Sequence, residues 1–209
     1  MRITAEEKRA TRRRIVEAAV DLFRSQGFDT TTTRDIARAA GIAAGTLFNY
    51  FETKEALVAG LAAEALSRAH AAWKQESDRT SPKHRPSLDE ELFALIAAEL
   101  RQLRPLRKFM SPFLETALSP LVAARKSAAD ELRVAHLERV AEIAGRQGVA
   151  EITPVAMQMY WALYAAALAF WAADKSPRQE DTLALLDESL QMFTAWLQGQ
   201  TGGSKTERT

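Results

Sequence analysis

Residues 31–51 read TTTRDIARAAGIAAGTLFNYF, and they constrain the fold more than any other stretch. Thr32 with Asp35 three residues on signals a helix start, and Gly41 stops that helix just after Ala40. A second short helix is expected over about Ala44–Tyr50. Two helices this short bury little core alone, so neighbours must hold them. A pair joined by so tight a turn is the helix-turn-helix arrangement, which places one helix in the DNA major groove. Within the pair, Ala37 is small where the helices approach, Gly41 accepts positive φ, and Leu47 points back toward Ile36, Ile42 and Phe51.

The sequence around this pair is helical throughout. Thr4 and Glu7 form a capping box, and Ile15, Ala18, Ala19, Leu22 and Phe23 fall on one stripe before Gly27 ends the helix. Thr53 caps a fourth helix reaching about Ser77, and residues 79–87, RTSPKHRPS, read as a polar linker. Ser87 with Glu90 opens a helix to about Arg104, after which Pro105, Pro112 and Pro120 cut the chain into short pieces. A helix over about 120–145 ends near Gly145 or Gly148, and Thr153-Pro154 and Ser176-Pro177 start helices over about 154–173 and 177–197. No segment shows strand alternation. The expected class is all-α with about nine helices: an N-terminal three-helix unit over 1–54, a connecting helix over about 54–77, a helical domain over 55–198, and a disordered tail over 199–209.

Composition removes several function classes. The 209 residues include no cysteine, which excludes disulfides, thiolate nucleophiles and Cys-based zinc sites. A di-iron helical bundle needs Glu-x-x-His pairs, but Ser67, Ser81 and Arg133 stand three residues before the three histidines. No Gly-rich phosphate loop or other catalytic motif appears, so no enzyme activity and no cofactor are expected. The first residues carry charge rather than an apolar run, so a signal peptide is not expected. Residues 155–173, VAMQMYWALYAAALAFWAA, approach the length of a membrane span. Their alanine content, the nearby Glu151 and Asp174, and the Thr153-Pro154 start favour a buried helix in a cytoplasmic protein instead. Residues 1–54 hold 10 Lys/Arg against 7 Asp/Glu, and the remainder 18 against 20, a mild asymmetry that permits an anionic partner for the N-terminal part.

The flanks of the short helices carry DNA-binding chemistry. Thr32 and Thr33 stand at one helix N-terminus and Lys54 at another, where free N–H groups and the helix dipole favour phosphate oxygens. Ala43, Ala44, Gly45 and Thr46 make a small N-terminal end that can sit deep in a groove, with Asn49 and Tyr50 offering polar tips beside it. Over Arg12–Leu57 the sequence resembles the DNA-binding domain of the TetR family of transcriptional regulators. The matching pieces are Gly27-Phe28, Thr31-Thr32, Ile36-Ala37, Ala40-Gly41-Ile42, Gly45-x-Leu47-Phe48, Tyr50-Phe51 and Lys54. The resemblance implies phosphate contacts from Thr32, Thr33, Tyr50 and Lys54, and groove contacts from Ala44, Gly45, Thr46 and Asn49. Two departures remove hydroxyls that the family often has: Phe48 stands for Tyr, and Ala43 for a Ser that would cap the groove helix. The basic run Arg9, Arg12, Arg13 and Arg14 reads equally as a DNA backbone or minor-groove contact and as a solvated helix face.

By the same resemblance, residues 55–209 should bind a small-molecule effector and form a homodimer, so that two groove helices meet a palindromic double-stranded DNA operator. The last two helices are the expected dimer pair, the first apolar nearly all round and the second carrying Leu183, Leu186, Leu190, Phe193 and Leu197. Phe93, Phe109, Met110, Phe113, His136, Trp161 and Tyr164 are candidate pocket residues, with ordinary core as the competing reading for each. Arg133 and Arg139 flank His136 on its helix, which suggests an exposed position. With no evident charged cluster, an apolar or aromatic ligand is favoured. The expected function is therefore a DNA-binding regulator, with repression as the implied mode. The alternatives are an activator of the same fold and a helical carrier or scaffold without DNA binding.

Overall fold

The computed structural model describes residues 4–79, 86–110, 114, 128–149 and 152–203. They contain α1 (Ala5–Gln26), α2 (Thr33–Ala39), α3 (Ala44–Phe48), α4 (Lys54–Arg79), α5 (Leu88–Leu103), α6 (Ala128–Arg146), α7 (Pro154–Ala173) and α8 (Glu180–Gly203). Two 3₁₀ turns, Arg104–Leu106 and Pro177–Gln179, precede a helical stretch over 107–110 and α8 respectively. No strand occurs among the described residues, so the all-α class holds. Phe113, most of the expected 79–87 linker and the first part of the helix expected over 120–145 lie outside the described residues.

The chain divides into two compact units, Met1–Ala62 and Ala63–Thr209, with the boundary inside α4 rather than at residue 54. The shift has a local cause: the first turns of α4 are tied to the N-terminal unit. Lys54 Nζ donates to Phe28 O at 2.7 Å, and a Cβ on Gly60 would come within 3.0 Å of both the Phe51 ring and the Arg12 guanidinium.

In the N-terminal unit, α1 begins with the expected capping box: Glu7 N–H donates to Thr4 Oγ1 at 3.2 Å and Thr4 N–H to Glu7 Oε2 at 2.8 Å. It ends at Gly27, whose φ of 94° only glycine adopts cheaply. Ile15, Ala19 and Phe23 are buried, as are Ile36, Ala37, Leu47 and Phe51 from the following elements. Thr31 is fully buried and donates its hydroxyl to Gly27 O at 2.7 Å, sealing the turn between α1 and α2.

In the second unit, α5 packs against α6 and α8, and α7 against α6 and α8. Leu88, Leu92, Leu95, Ile96 and Leu103 form the buried face of α5. The Leu186, Leu190, Phe193 and Leu197 stripe of α8 is likewise buried within this unit. The stripe therefore serves the protomer's own core, which corrects its assignment to a dimer interface; of the expected set only Leu183 is exposed. Nor is α7 covered all round: Val155, Met159 and Phe170 are exposed, while Tyr160, Tyr164, Leu168 and Trp171 face inward. Apolar composition on every side cannot tell a reader which side meets the core.

The start of α8 also differs from expectation. Arg178 and Gln179 have positive φ (53° and 63°), so Ser176-Pro177 opens only a 3₁₀ turn and α8 begins at Glu180. The buried Asp174 organises this junction, accepting from Ser176 N–H at 2.7 Å and Thr182 N–H at 3.1 Å as well as from the Thr182 hydroxyl. These hydrogen bonds, led by that of the Thr182 hydroxyl, hold its carboxyl far below the ordinary range. Arg107 secures the other side of the junction, donating to Trp171 O at 2.8 Å and to Asp174 O. Finally, α8 runs through Gly203, so residues 199–203 are helical rather than a disordered tail. Extending a formed helix costs far less than nucleating one, so its glycines do not end it.

Candidate functional site

The helix expected to enter a groove, α3, is five residues long, and backbone geometry fixes the turn that leads into it. Gly41 (φ 67°) turns the chain, and Ile42 N–H donates back to Ala37 O at 3.0 Å. Ala43 takes the N-cap position with no side-chain hydrogen bond, as its missing hydroxyl implies. Leu47 is buried and anchors the helix. Ala44 and Thr46 are half-buried, whereas Gly45 and Asn49 are exposed and Tyr50 half-buried. An added Cβ on Gly45 would meet nothing within 4 Å, so the protein's own packing does not require glycine there. Phe48 presents an apolar ring that is 50% exposed beside these positions.

The phosphate-side candidates prove to have internal partners. The Thr32 hydroxyl is the N-cap of α2: it accepts from Asp35 N–H at 3.2 Å and donates to the Asp35 carboxylate. That hydroxyl bond, together with one donated by Thr32 N–H at 3.1 Å, holds the Asp35 carboxyl below its usual value. Thr33 is the half-buried first residue of α2. Lys54, the first residue of α4, lies over the Phe28 ring at 4.5 Å and donates to the carbonyls of Phe28 and Asp29 at 2.7 and 3.4 Å. Its ammonium is thus a staple between α4 and the turn after α1, a role its place at a helix start did not reveal. Arg12 is similarly committed, stacked over Phe51 at 4.7 Å, while Arg9, Arg13 and Arg14 are exposed.

A second site lies in the other unit. Glu99, on the buried face of α5, has no exposed side-chain surface. Its Oε1 is 2.6 Å from His70 Nε2 on α4 and 2.8 Å from His136 Nδ1 on α6. A carboxylate only accepts, so both ring nitrogens donate to it. In neutral His136, Nε2 is then the acceptor for the Tyr160 hydroxyl, 3.0 Å away on α7. Burial pushes the Glu99 carboxyl up, but the His136 imidazole and the hydrogen bonds from both histidines outweigh it and bring the pKa to about 2. Glu99 is therefore an ionised group within the core. Tyr164 stacks on His136 with centroids 3.9 Å apart, and burial followed by the Glu99 charge raises its phenol well above the ordinary value. Glu99 Oε2 and the Tyr164 hydroxyl are both buried, and hydrogen bonding to Glu99 also raises the Tyr164 phenol.

This cluster corrects two expectations. His136 is 1% exposed, because Glu99 and Tyr160 on the opposing helices satisfy its ring. Arg133 and Arg139 reach outward around it, Arg133 over the Trp161 ring at 5.4 Å and Arg139 to Glu142. The second unit also does contain a charged cluster, which removes the basis for favouring a wholly apolar ligand. Of the candidate pocket residues, His136, Trp161 and Tyr164 come together, with Trp161 5.5 Å from Tyr164. Phe93 is half-buried on α5, and Phe109 and Met110 are buried beyond the 3₁₀ turn. Sequence reasoning missed His70, Glu99 and Tyr160. A signal existed for Glu99: it falls in the apolar stripe of Leu92, Leu95, Ile96 and Leu103, where a carboxylate demands partners.

Comparison with known proteins bears on the two units unequally. The bacterial regulatory proteins of the tetR family match residues 15–61. The transcriptional repressor KstR2 of Rhodococcus jostii is 43% identical over 51 residues, 24% of this chain and 25% of its own length. The tetracycline repressor protein class D of Escherichia coli is 39% identical over 62 residues, 30% of this chain and 28% of its own. The chain thus spans about a quarter to a third of the length of the curated relatives it matches. Among solved structures, Thermus thermophilus FadR, a TetR family repressor in complex with lauroyl-CoA, is similar over 88% of this chain and 93% of its own, with 28% identity and a TM-score of 0.64.

Proposed function

We propose that the chain, whose residues 15–61 match the tetR family of bacterial regulatory proteins, is a cytoplasmic repressor of that family that binds a palindromic operator as a homodimer and is released by a small molecule. The observation that carries this reading is α3: a short helix held rigidly by Leu47, with an exposed Gly45 that the fold itself does not need. A glycine dispensable for packing suits close approach of the helix to base edges, with Ala44, Thr46 and Asn49 beside it. Thr33, Tyr50 and the helix starts at Thr32 and Lys54 would supply phosphate contacts through hydroxyls and terminal N–H groups.

The exposed apolar residues of α7 and α8, namely Val155, Met159, Phe170, Leu183, Leu185 and Met192, support a dimer through the last two helices. Two groove helices would then address half-sites about 34 Å or a multiple of it apart. The effector would occupy the second unit near Trp161 and Tyr164, with Phe93, Phe109, Met110 and Phe113 as further candidate contacts. The lauroyl-CoA held by the Thermus relative supports an effector with an apolar body. Such a molecule weakens operator binding by its differential affinity for a conformation in which the two α3 helices are misplaced.

Selection of bound sequences from random double-stranded DNA tests the reading. The expected result is an inverted repeat whose retention falls steeply with salt. Recovery of no motif, with no salt-dependent retention, would leave the carrier or scaffold reading in its place.

A further inference from the structure

The Glu99 cluster brings three donors of metal-binding type from three helices to one point. His70 Nε2, His136 Nδ1 and a Glu99 carboxylate oxygen all lie within 4.8 Å of one another. Both histidines already aim a ring nitrogen at the same oxygen, Glu99 Oε1. We propose that His70, Glu99 and His136 form a binding site for one divalent transition ion of the zinc class, with Tyr160 orienting His136 from behind. This inference does not depend on the DNA-binding reading.

Donor chemistry selects the ion class. Two imidazoles and one carboxylate are the ligand set of zinc sites that keep a fourth position open, whereas hard ions such as Mg²⁺ prefer all-oxygen surroundings. Donors on a tetrahedral ion with bonds of about 2.0–2.1 Å stand about 3.3 Å apart. The present separations of 2.6 and 2.8 Å from Glu99 Oε1 need to open by about half an ångström. The ion takes the place of the two shared protons. His136 then ligates through the Nδ1 lone pair, carries its proton on Nε2 and donates it to the Tyr160 oxygen, the orienting hydrogen bond that metal-bound imidazoles usually make. Tyr164 already stacks on the His136 ring. Glu99 Oε2 and the Tyr164 hydroxyl are buried at the same cluster, the phenol interacting with the Glu99 carboxylate.

The test is a metal titration of the full chain after dialysis against chelator, with Zn²⁺ followed by calorimetry and Co²⁺ by visible absorption. One equivalent per chain is expected, with a Co²⁺ spectrum of low coordination number and no competition from millimolar Mg²⁺. His70→Gln and Glu99→Gln should each abolish that equivalent. Tyr160→Phe should retain the stoichiometry and weaken affinity by about 10- to 100-fold, as loss of an orienting partner does. His70 is at the edge of the cluster, with 12% of its side chain exposed, so its variant keeps the test valid if Glu99→Gln does not fold. Absence of a stoichiometric site in the wild-type chain overturns the proposal. So does a site that His70→Gln leaves intact.

Discussion

The two units reach their functional geometry by opposite routes. In the N-terminal unit the decisive bonds are mostly short in sequence: Thr4 to Glu7, Thr32 to Asp35 and Thr31 to Gly27 each span three or four residues. In the second unit Glu99 meets His70 from 29 residues away and His136 from 37, and Tyr160 meets His136 across 24. The first unit is thus specified by local caps and turns, each worth little. The second hangs on one buried charge whose partners come from elsewhere in the chain. Substitutions in the two units should differ accordingly in size and in kind.

The largest effect is expected from Glu99→Ala. It strips the buried His136 and the part-buried His70 of their common acceptor, and breaking such a buried set costs about 3–5 kcal/mol. Urea unfolding of the full chain measures it. A loss below about 1 kcal/mol, the scale of a surface pair, would show that the cluster is not the keystone that the comparison makes it.

That asymmetry also decides what could be read from the sequence. The helix starts at Thr4, Thr32, Thr53, Ser87 and Thr153 were legible because each cap is completed within three residues. The turn glycines 27 and 41 were legible because positive φ is a local demand. The role of Lys54 was hidden, although the residue was singled out, because its carbonyl partners lie 25 and 26 residues back. His136 was misplaced because its own helix shows only two arginines around it. The α8 stripe was assigned outward because periodicity defines an apolar face but not what covers it.

Lys54→Ala probes a long-range tie within the N-terminal unit. Hydrogen bonds from a charged group to carbonyls are worth about 1.5–3 kcal/mol, so the variant should unfold at lower urea. If Lys54 also reaches a phosphate, the salt slope of DNA binding should fall by about one. Lower stability with an unchanged slope would assign the residue to the fold alone.

Asp174 allows a test confined to acid. Its folded-state pKa is depressed by the Thr182 and Ser176 hydrogen bonds. Its contribution is therefore fully present above the unfolded value of about 3.9 and is lost as pH falls from there through the folded value. Asp174→Asn should lower stability at neutral pH and flatten the dependence below about pH 4. Parallel stability curves for the two proteins across that range would show that the junction does not rely on the charge.

The smallest change in stability, and the sharpest separation of fold from function, is expected at Gly45. The residue lies near the start of α3 without positive φ, and a methyl group there meets nothing within 4 Å. Ala is the better helix former by up to about 1 kcal/mol, so Gly45→Ala should leave stability unchanged or slightly raised. The same methyl would stand between α3 and base edges approached at van der Waals distance, so operator affinity should fall although no protein contact is lost. Reduced affinity at undiminished stability can only come from a surface that meets something outside the chain. Undiminished affinity would mean that α3 does not enter a groove at Gly45, and the local logic of the N-terminal unit would then describe a fold without the interface it is read as presenting.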